Sequence, residues 1–271
     1  MTMKLTPLGS VSGMPKRGQA GSGYLVESGD TKVPLDAGAG VALELSRLID
    51  PAELDAIFIS HMHIDHVYDA LAIAKMLLAP ALRKDPATDE ITAAPARRIP
   101  IFVPTGGAAQ LHRHAATFPV VSHSILDQAF EIAVELIEYT AGDAFTVGAL
   151  ELQTVGLLHI VPNSGVRVSD GDAVLAYTGD TGVTDALAEL AHDVDLLLSE
   201  CTYDQPDRSE HGHLRAEDAG RAATAGGAKR LMLTHFATAD AAARARHREL
   251  AAGVFAGDVS VVVPGQPVTV G

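Results

Sequence analysis

Tryptophan is absent from the 271 residues, and the remaining aromatics are seven phenylalanines and five tyrosines. Single-stranded nucleic acid is usually gripped by aromatic stacking platforms, and none is evident. Cysteine occurs once, at position 201. One thiol cannot close an intrachain disulfide, and cysteine-based zinc sites are excluded with it. Cys201 is therefore expected to be a small buried residue. No apolar run reaches the ~18 residues that a membrane helix needs. The opening stretch MTMKLTPLGS has no long apolar run behind a basic start, so no secretory signal is expected. Positive charge is scarce too: 20 Lys+Arg stand against 34 Asp+Glu, a net charge of −14. Long polyanions are held by clustered Lys and Arg. The doublets Arg83-Lys84 and Arg97-Arg98 are isolated and read as solvated loop charge. The expectation is a soluble, cytoplasmic protein with no membrane partner, for which long nucleic acid is a poor match.

What is present is ample core material, 47% hydrophobic residues, arranged as alternating strand-like and helix-like runs. MKLTPL, GYLVES and KVPLD read as an opening strand series, followed by a helix at VALELSRLI. DAIFIS reads as a buried strand, and VYDALAIAKMLL as a helix apolar all round and therefore well buried. Residues 79–100 hold four prolines and mixed charge, which predicts an exposed loop insertion or lid. IPIFVP, EIAVELIEY, FTVGALELQTVGLL, GVRVS, AVLAYTGD, DVDLLLSE, RLMLTH and VSVVVP read mostly as strands. GGAAQLHRHAAT and the regions near 183–192, 215–226 and 238–252 read as helices. Both halves run strands first and strand–helix alternation second. One domain spanning 1–271 is expected, α/β in class, with two similar β-sheet halves packed together and helices on the outer faces.

The most unusual stretch is SHMHIDHV, residues 60–67. It places His61, His63, Asp65 and His66 within six positions, directly after the DAIFIS strand. Imidazole suits Zn²⁺, and carboxylate suits Zn²⁺, Mn²⁺ or Fe²⁺. Four adjacent ligands cannot all reach one small ion from a tight loop without strain, which favours division between two ions. A histidine-rich surface turn is the plain alternative; the buried strand in front of it argues against that.

His-x-His-x-Asp-His after a strand ending in Ser resembles the metallo-β-lactamase superfamily. Further candidates follow in the order that this family would require: His159 after LQTVGLL, Asp180 in YTGDTG, and His235 at the end of RLMLTH. LDAGAG around Asp36 is similar to the family's early strand–turn, and the resemblance runs from about Leu5 to His235. It implies an αββα sandwich. It also implies two divalent ions, Zn²⁺ first, with Mn²⁺ or Fe²⁺ as alternatives. His61, His63 and His159 would hold one ion, Asp65, His66 and His235 the other, and Asp180 would bridge them. Cys often stands at the position of Asp180 in the antibiotic-cleaving members, so Asp180 points to other hydrolase branches.

Three local features bear on the branch. HIVPNSGVRV is similar to ribonuclease Z-like phosphodiesterases rather than to lactonases and thioesterases. GHLRAEDAGRAATAGGAKRLMLTHF resembles the same branch, in which a histidine 22 residues before the last ligand protonates the leaving oxygen; His213 is its counterpart, with a helix-capping or exposed histidine as the alternative. The resemblance thus implies catalytic roles for His213 and Asp65. Only 21 residues separate His159 from Asp180, too few for the tRNA-gripping arm common in bacterial ribonuclease Z. A small phosphodiester such as a cyclic nucleotide or nucleotide derivative is the expected substrate, with a homodimer as in the resembling family. The rivals are a ribonuclease Z-type RNA endonuclease, a lactone, carboxylic-ester or arylsulfate hydrolase, and a non-catalytic metal binder. Glu200 is expected either to orient a ligand or His213, or to be a buried strand-end acid. His211 is expected to be a loop residue, and His112, His114, His123, His192 and His247 surface or packing residues.

Overall fold

The computed structural model describes residues 2–207 and 209–271. In chain order the first part comprises β1 (Met3–Gly9), β2 (Gly23–Ser28), β3 (Thr31–Leu35), α1 (Val41–Leu48), β4 (Ile57–Phe58), α2 (Ile64–Val67), α3 (Ala70–Leu78), β5 (Leu82–Lys84), β6 (Ile91–Ala93), β7 (Ile99–Pro104), α4 (Gly107–Thr117), α5 (Ala129–Ile132) and β8 (Val134–Tyr139). The second comprises β9 (Ala144–Val147), β10 (Leu150–Gly156), β11 (Ser164–Ser169), β12 (Val174–Tyr177), α6 (Ala186–Leu190), β13 (Leu196–Glu200), α7 (Ala216–Gly226), β14 (Arg230–Thr234), α8 (Ala241–Ala252), β15 (Asp258–Val261) and β16 (Val268–Val270). Two seven-stranded sheets result, ordered β16-β1-β2-β3-β4-β7-β8 and β15-β14-β13-β12-β11-β10-β9. Helices α1, α3, α4 and α5 cover the first sheet and α6, α7 and α8 the second, giving an αββα sandwich.

Burial follows each strand's place. β13 is covered on both faces, and all five of its residues, LLLSE, are buried, as a parallel strand between helices and a facing sheet requires. Each of its leucines contributes roughly 1.5–3 kcal/mol on burial. β10 alternates instead, with Glu151 and Gln153 exposed and Leu150, Leu152 and Thr154 buried, because its outer face is partly wet. The core between the sheets joins Met3, Tyr24 and Leu35 of the first to Leu152, Leu175 and Leu198 of the second.

Three local expectations change. EIAVELIEY is not strand throughout: its first residues close α5, where Phe130 is buried against α3, and the strand begins at Val134. Tertiary packing outweighs the β preference of Ile132 there. VYDALAIAKMLL breaks into α2 and α3 at Tyr68–Asp69, and the Asp69 carboxylate accepts the Ala42 N–H at 2.9 Å. α3 buries one stripe, Ala70, Ile73, Ala74 and Leu78, while Ala72 is exposed, so its apolar character is not matched by burial all round. Within 79–100, β5 and β6 form a hairpin. Arg97 donates to the carbonyls of Ala52 and Leu54 and to Asp55, tethering the segment at the N-terminal end of β4.

The opposite, C-terminal ends of the parallel strands are where the sequence motifs gather. Asp36 follows β3, SHMHIDHV follows β4, Asp180 follows β12, Glu200 ends β13 and His235 follows β14. His159 follows β10, which runs antiparallel to β11 and therefore parallel to β12. Open α/β sheets place ligands at this edge.

Candidate metal centre

The chain turns hard at two of these strand ends. Asp36 and His235 both adopt left-handed backbone, with φ of 62° and 53°. Such geometry costs a non-glycine residue free energy and persists where the surroundings enforce it. At Asp36 the surroundings are four donors to one buried carboxylate. Ser60 N–H donates to Oδ1 at 2.7 Å. Ser60 O–H, His66 Nδ1–H and Tyr177 O–H donate to Oδ2 at 2.8, 2.6 and 2.7 Å. Ser60 and His66 belong to the first half and Tyr177 to the second, so this carboxylate bonds the two sheets together at the site.

These bonds also set the imidazole tautomers. The Ser60 hydroxyl proton is committed to Asp36, so His61 Nδ1–H donates to Ser60 Oγ at 3.0 Å. His159 Nδ1–H donates to the Gly212 carbonyl at 3.0 Å. His235 Nδ1–H donates to Thr202 Oγ1 at 2.8 Å, and the Thr202 O–H donates in turn to Glu200 Oε2 at 2.6 Å. Nε2 of His61, His66, His159 and His235 is thereby left as a lone pair. This is the arrangement by which histidine ligands are oriented for a metal.

The lone pairs converge. Donor atoms of His61, His63, His159 and Asp180 lie within 4.8 Å of one another, and so do those of Asp65, His66, Asp180 and His235. His66 Nε2 faces His235 Nε2 at 3.2 Å, and His159 Nε2 faces His63 Nδ1 at 3.1 Å. Facing lone pairs at that distance repel unless a cation or a proton sits among them. Donors about 2.0–2.1 Å from a tetrahedral zinc stand roughly 3.3 Å apart, so the spacings fit. His61 Nε2 and Asp180 Oδ1 are buried with no hydrogen-bond partner among the described residues, an expensive state unless an ion satisfies them. The residues present therefore suit metal binding, and the two groups share Asp180.

The two groups differ in proton affinity. Burial, together with the charge of His66, holds His61 well below the usual imidazole range. Burial and the neighbouring His159 bring His63 down to about 4. His66 is pushed the other way: burial opposes its charge, but Asp180 and Asp36 raise it well above the ordinary value. Asp180 is held well below the usual carboxylate range, burial being overcome by His235 and His66. Asp65 is lowered likewise, against its burial, by His235 and His66; it also accepts Gly13 N–H at 2.7 Å.

His213 stands beside this centre, 5.8 Å from His235 and 5.4 Å from His159 between ring centroids. Its Nδ1–H donates to Glu200 Oε1 at 2.9 Å. Burial disfavours its charge, but that hydrogen bond and the Glu200 charge raise it to about 9. Glu200 is fully buried and saturated: Oε1 also accepts Thr181 N–H, and Oε2 accepts Thr202 N–H and O–H. The trio Glu200, His213 and His235 is compact, but a carboxylate so engaged serves as a proton-holding partner rather than as a further ligand.

The structure thus brings His61, His63, Asp65, His66, His159, Asp180, His213 and His235 to one place, with Glu200 behind His213. His112, His123 and His192 are exposed and His114 is half-buried, all outside the centre. Buried His247 packs near Cys201, Sγ to Nδ1 3.5 Å, and bonds to Asp204. His211 is in a loop, yet its ring lies 5.5 Å from that of His63 and 5.1 Å from that of His159. Sequence reasoning missed that placement; the only signal available was the pair His211-Gly212-His213.

The chain matches the β-lactamase superfamily domain over residues 31–236. It is 29% identical over 272 residues to the probable metallo-hydrolase YhfI of Bacillus subtilis, covering 97% of this chain and 98% of that protein. The crystal structure of YhfI superposes with a TM-score of 0.83 at 26% identity, over 99% of this chain and 100% of that one. Ribonuclease Z of Mycobacterium bovis is 25% identical over 279 residues, 96% of this chain and 95% of its own. A diphosphatase of the PhnP family shares the fold, with a TM-score of 0.69 at 18% identity over 99% of this chain and 97% of that one. With the candidate ligand groups gathered on an αββα sandwich and the family model matching residues 31–236, this chain belongs to the β-lactamase superfamily.

Proposed function

We propose that the protein is a binuclear metal-dependent phosphodiesterase acting on a small phosphodiester such as a cyclic nucleotide or a nucleotide derivative. The observation that carries this reading is the Glu200–His213 pair beside the two ligand groups. On it, His61, His63 and His159 would hold one ion, Asp65, His66 and His235 the other, with Asp180 available to both, and Zn²⁺ would best match the imidazole-rich donor set. When bound, the ions supply Lewis acidity, which acidifies water and neutralises charge on the phosphoryl oxygens.

The remaining work falls to the chain. Asp36, Ser60, Thr202 and the Gly212 carbonyl keep the imidazoles aimed. Asp65 and Asp180 offset cationic charge, and Asp65 faces the reacting centre as a catalytic carboxylate. His213, protonated at neutral pH through Glu200, gives its Nε2 proton to the departing alkoxide, and the alcohol leaves. Carboxylic esters and lactones also expel alkoxides, but from a tetrahedral intermediate, whereas displacement at phosphorus expels the alkoxide in the difficult step itself and depends more on such an acid. A groove of about 550 Å³ runs from His159 past Thr105, Tyr139, Thr140 and Pro162, and a substrate arm of nucleoside size suits it.

Cleavage of RNA in the manner of ribonuclease Z is the second reading, supported by the likeness to that enzyme. The net charge of −14 opposes it. So does the 159–180 interval, which is occupied by β11, β12 and a tight turn at Asp170–Ala173 and carries no arm. No helix among the described residues is long and apolar enough to cross a membrane; a cytoplasmic setting and a homodimer belong to the proposal, the latter checked by light scattering.

The deciding experiment is a hydrolysis panel with zinc- and manganese-loaded protein: bis(p-nitrophenyl) phosphate, cyclic nucleotides, precursor tRNA, a lactone and an arylsulfate. Small diesters should be cleaved fastest. Faster turnover of lactone or arylsulfate would overturn the reading. Stoichiometric metal with no hydrolysis of any ester would leave a metal-binding protein.

A further inference from the structure

The turn that delivers His213 carries a second imidazole to which the ligand groups and the Glu200–His213 pair assign no task. Asp207 ties this turn: Oδ1 accepts N–H and O–H of Ser209 at 2.8 and 2.6 Å. Oδ2 accepts N–H of Gly212 and His213 at 3.1 and 3.0 Å. Gly212 is left-handed, φ 83°, and a Cβ there would stand 2.6 Å from the Leu158 carbonyl oxygen, so no other residue fits. The Gly212 carbonyl orients His159, and the His211 carbonyl accepts Ile160 N–H at 3.2 Å. The backbone of residues 211–213 is thus bonded to the strand end that presents His159.

On this braced backbone the His211 ring lies parallel to His63, with an 8° interplanar angle and centroids 5.5 Å apart, and edge-on to His159. It stands 4.8 Å from the His213 ring. Neither ring nitrogen of His211 has a protein hydrogen bond among the described residues, although the side chain is half-buried. A ring there for packing alone would need no nitrogens. One carried on a braced backbone at the open side of the centre, with both ring nitrogens free of protein partners among the described residues, is placed to meet a ligand.

We propose that His211 is a substrate-contacting residue that hydrogen-bonds a phosphoryl or ester oxygen from the His63–His159 side, while His213 serves the oxygen on the His235 side. This rests on the phosphodiesterase reading. Two imidazoles on one turn match a tetrahedral phosphoryl group, whose four oxygens are spread in three dimensions, better than a carboxylic ester, whose two oxygens lie in one plane. His211 would therefore favour phosphodiesters over carboxylic esters at this centre.

The test compares zinc-loaded wild type, His211→Ala and His211→Asn. Zinc content, steady-state kinetics on bis(p-nitrophenyl) phosphate and calorimetric binding of inorganic phosphate are measured for each. His211→Ala should keep its zinc, raise KM and weaken phosphate binding by about tenfold, as expected for one lost hydrogen bond, with kcat changed by less than about threefold. His211→Asn, which retains donor and acceptor, should recover part of the loss. KM and phosphate affinity within about twofold of wild type would overturn the proposal. Loss of zinc in parallel with affinity would overturn it too, since the ring would then be a support for His63. If the wild type cleaves no diester, the functional reading fails on its own, and phosphate binding still decides the role of His211.

Discussion

His61, His63 and His159 meet at the open side of the centre, where two of the three rings are half-buried; Asp65, His66 and His235 meet where all three are buried. The open group is imidazole apart from the shared Asp180, and its histidines resist protonation. The buried group has a carboxylate of its own and draws on Asp36 through His66. The difference suggests a division of labour. A cation in the buried group meets more negative charge and less water, and should be held longer. A cation in the open group would stand next to His211 and the groove, where the proposed substrate would arrive.

The hardest way to break this comparison is to remove what the groups share. Asp180→Ala should lose both ions and essentially all turnover; metal analysis showing one ion still firmly bound would mean that the groups are independent. Next comes His213→Ala, which removes a neighbour of both groups but a member of neither. Zinc content should be unchanged, while turnover of diesters with poor leaving groups falls by about 10²–10⁴-fold. The nitrophenyl diester should suffer much less, and an equal loss on both substrates would count against proton donation. Asp36→Asn should act unequally on the two sides, directly on His66 and only through Ser60 on His61. Affinity for the more tightly held ion should drop by about 10–100-fold while the other ion is weakened less. Chelator titration separates the two.

The smallest effect is a titration of metal-free protein. His63, depressed to about 4, stays neutral in the folded chain from the ordinary value of 6.5 downward. The unfolded chain takes up that proton earlier, so this histidine costs stability as pH falls through that interval. His66, raised well above the ordinary value, works in the opposite direction. Its contribution is fully present below the ordinary value and is lost as pH rises through the elevated one. Imidazole NMR signals should show His63 titrating near pH 4 and His66 still protonated at neutrality. The reverse order would invert the assignment of the two sides.

Legibility in the sequence followed the same line. Four candidate ligands come from one loop and could be read directly as SHMHIDHV. The candidates contributed by the second half are single residues at separate strand ends, and only resemblance to a family picked out His159, Asp180 and His235 from the other histidines and acids. The two-sheet plan was legible from strand–helix alternation, whereas the α5 turn at Phe130 and the hairpin inside 79–100 were not, because packing and pairing decide them. His211 was invisible for a similar reason: its neighbours are set by Gly212 against Leu158 and by the bond to Ile160, contacts between segments about fifty residues apart. Asp36 was visible as a motif residue, but its four donors were not, since one of them, Tyr177, lies 141 positions along the chain.

That last bond has a bearing on how the protein comes into being. During synthesis SHMHIDHV emerges long before Tyr177, Asp180 and His235, so the loop is displayed for a time as a cluster of loose imidazoles with neither its orienting carboxylate complete nor its partners in reach. On the proposed two-ion reading, neither donor group is complete until the second sheet docks and Tyr177 closes onto Asp36. Metal uptake would then be a late assembly event, and retained metal a gauge of how well the two halves of the chain have come together.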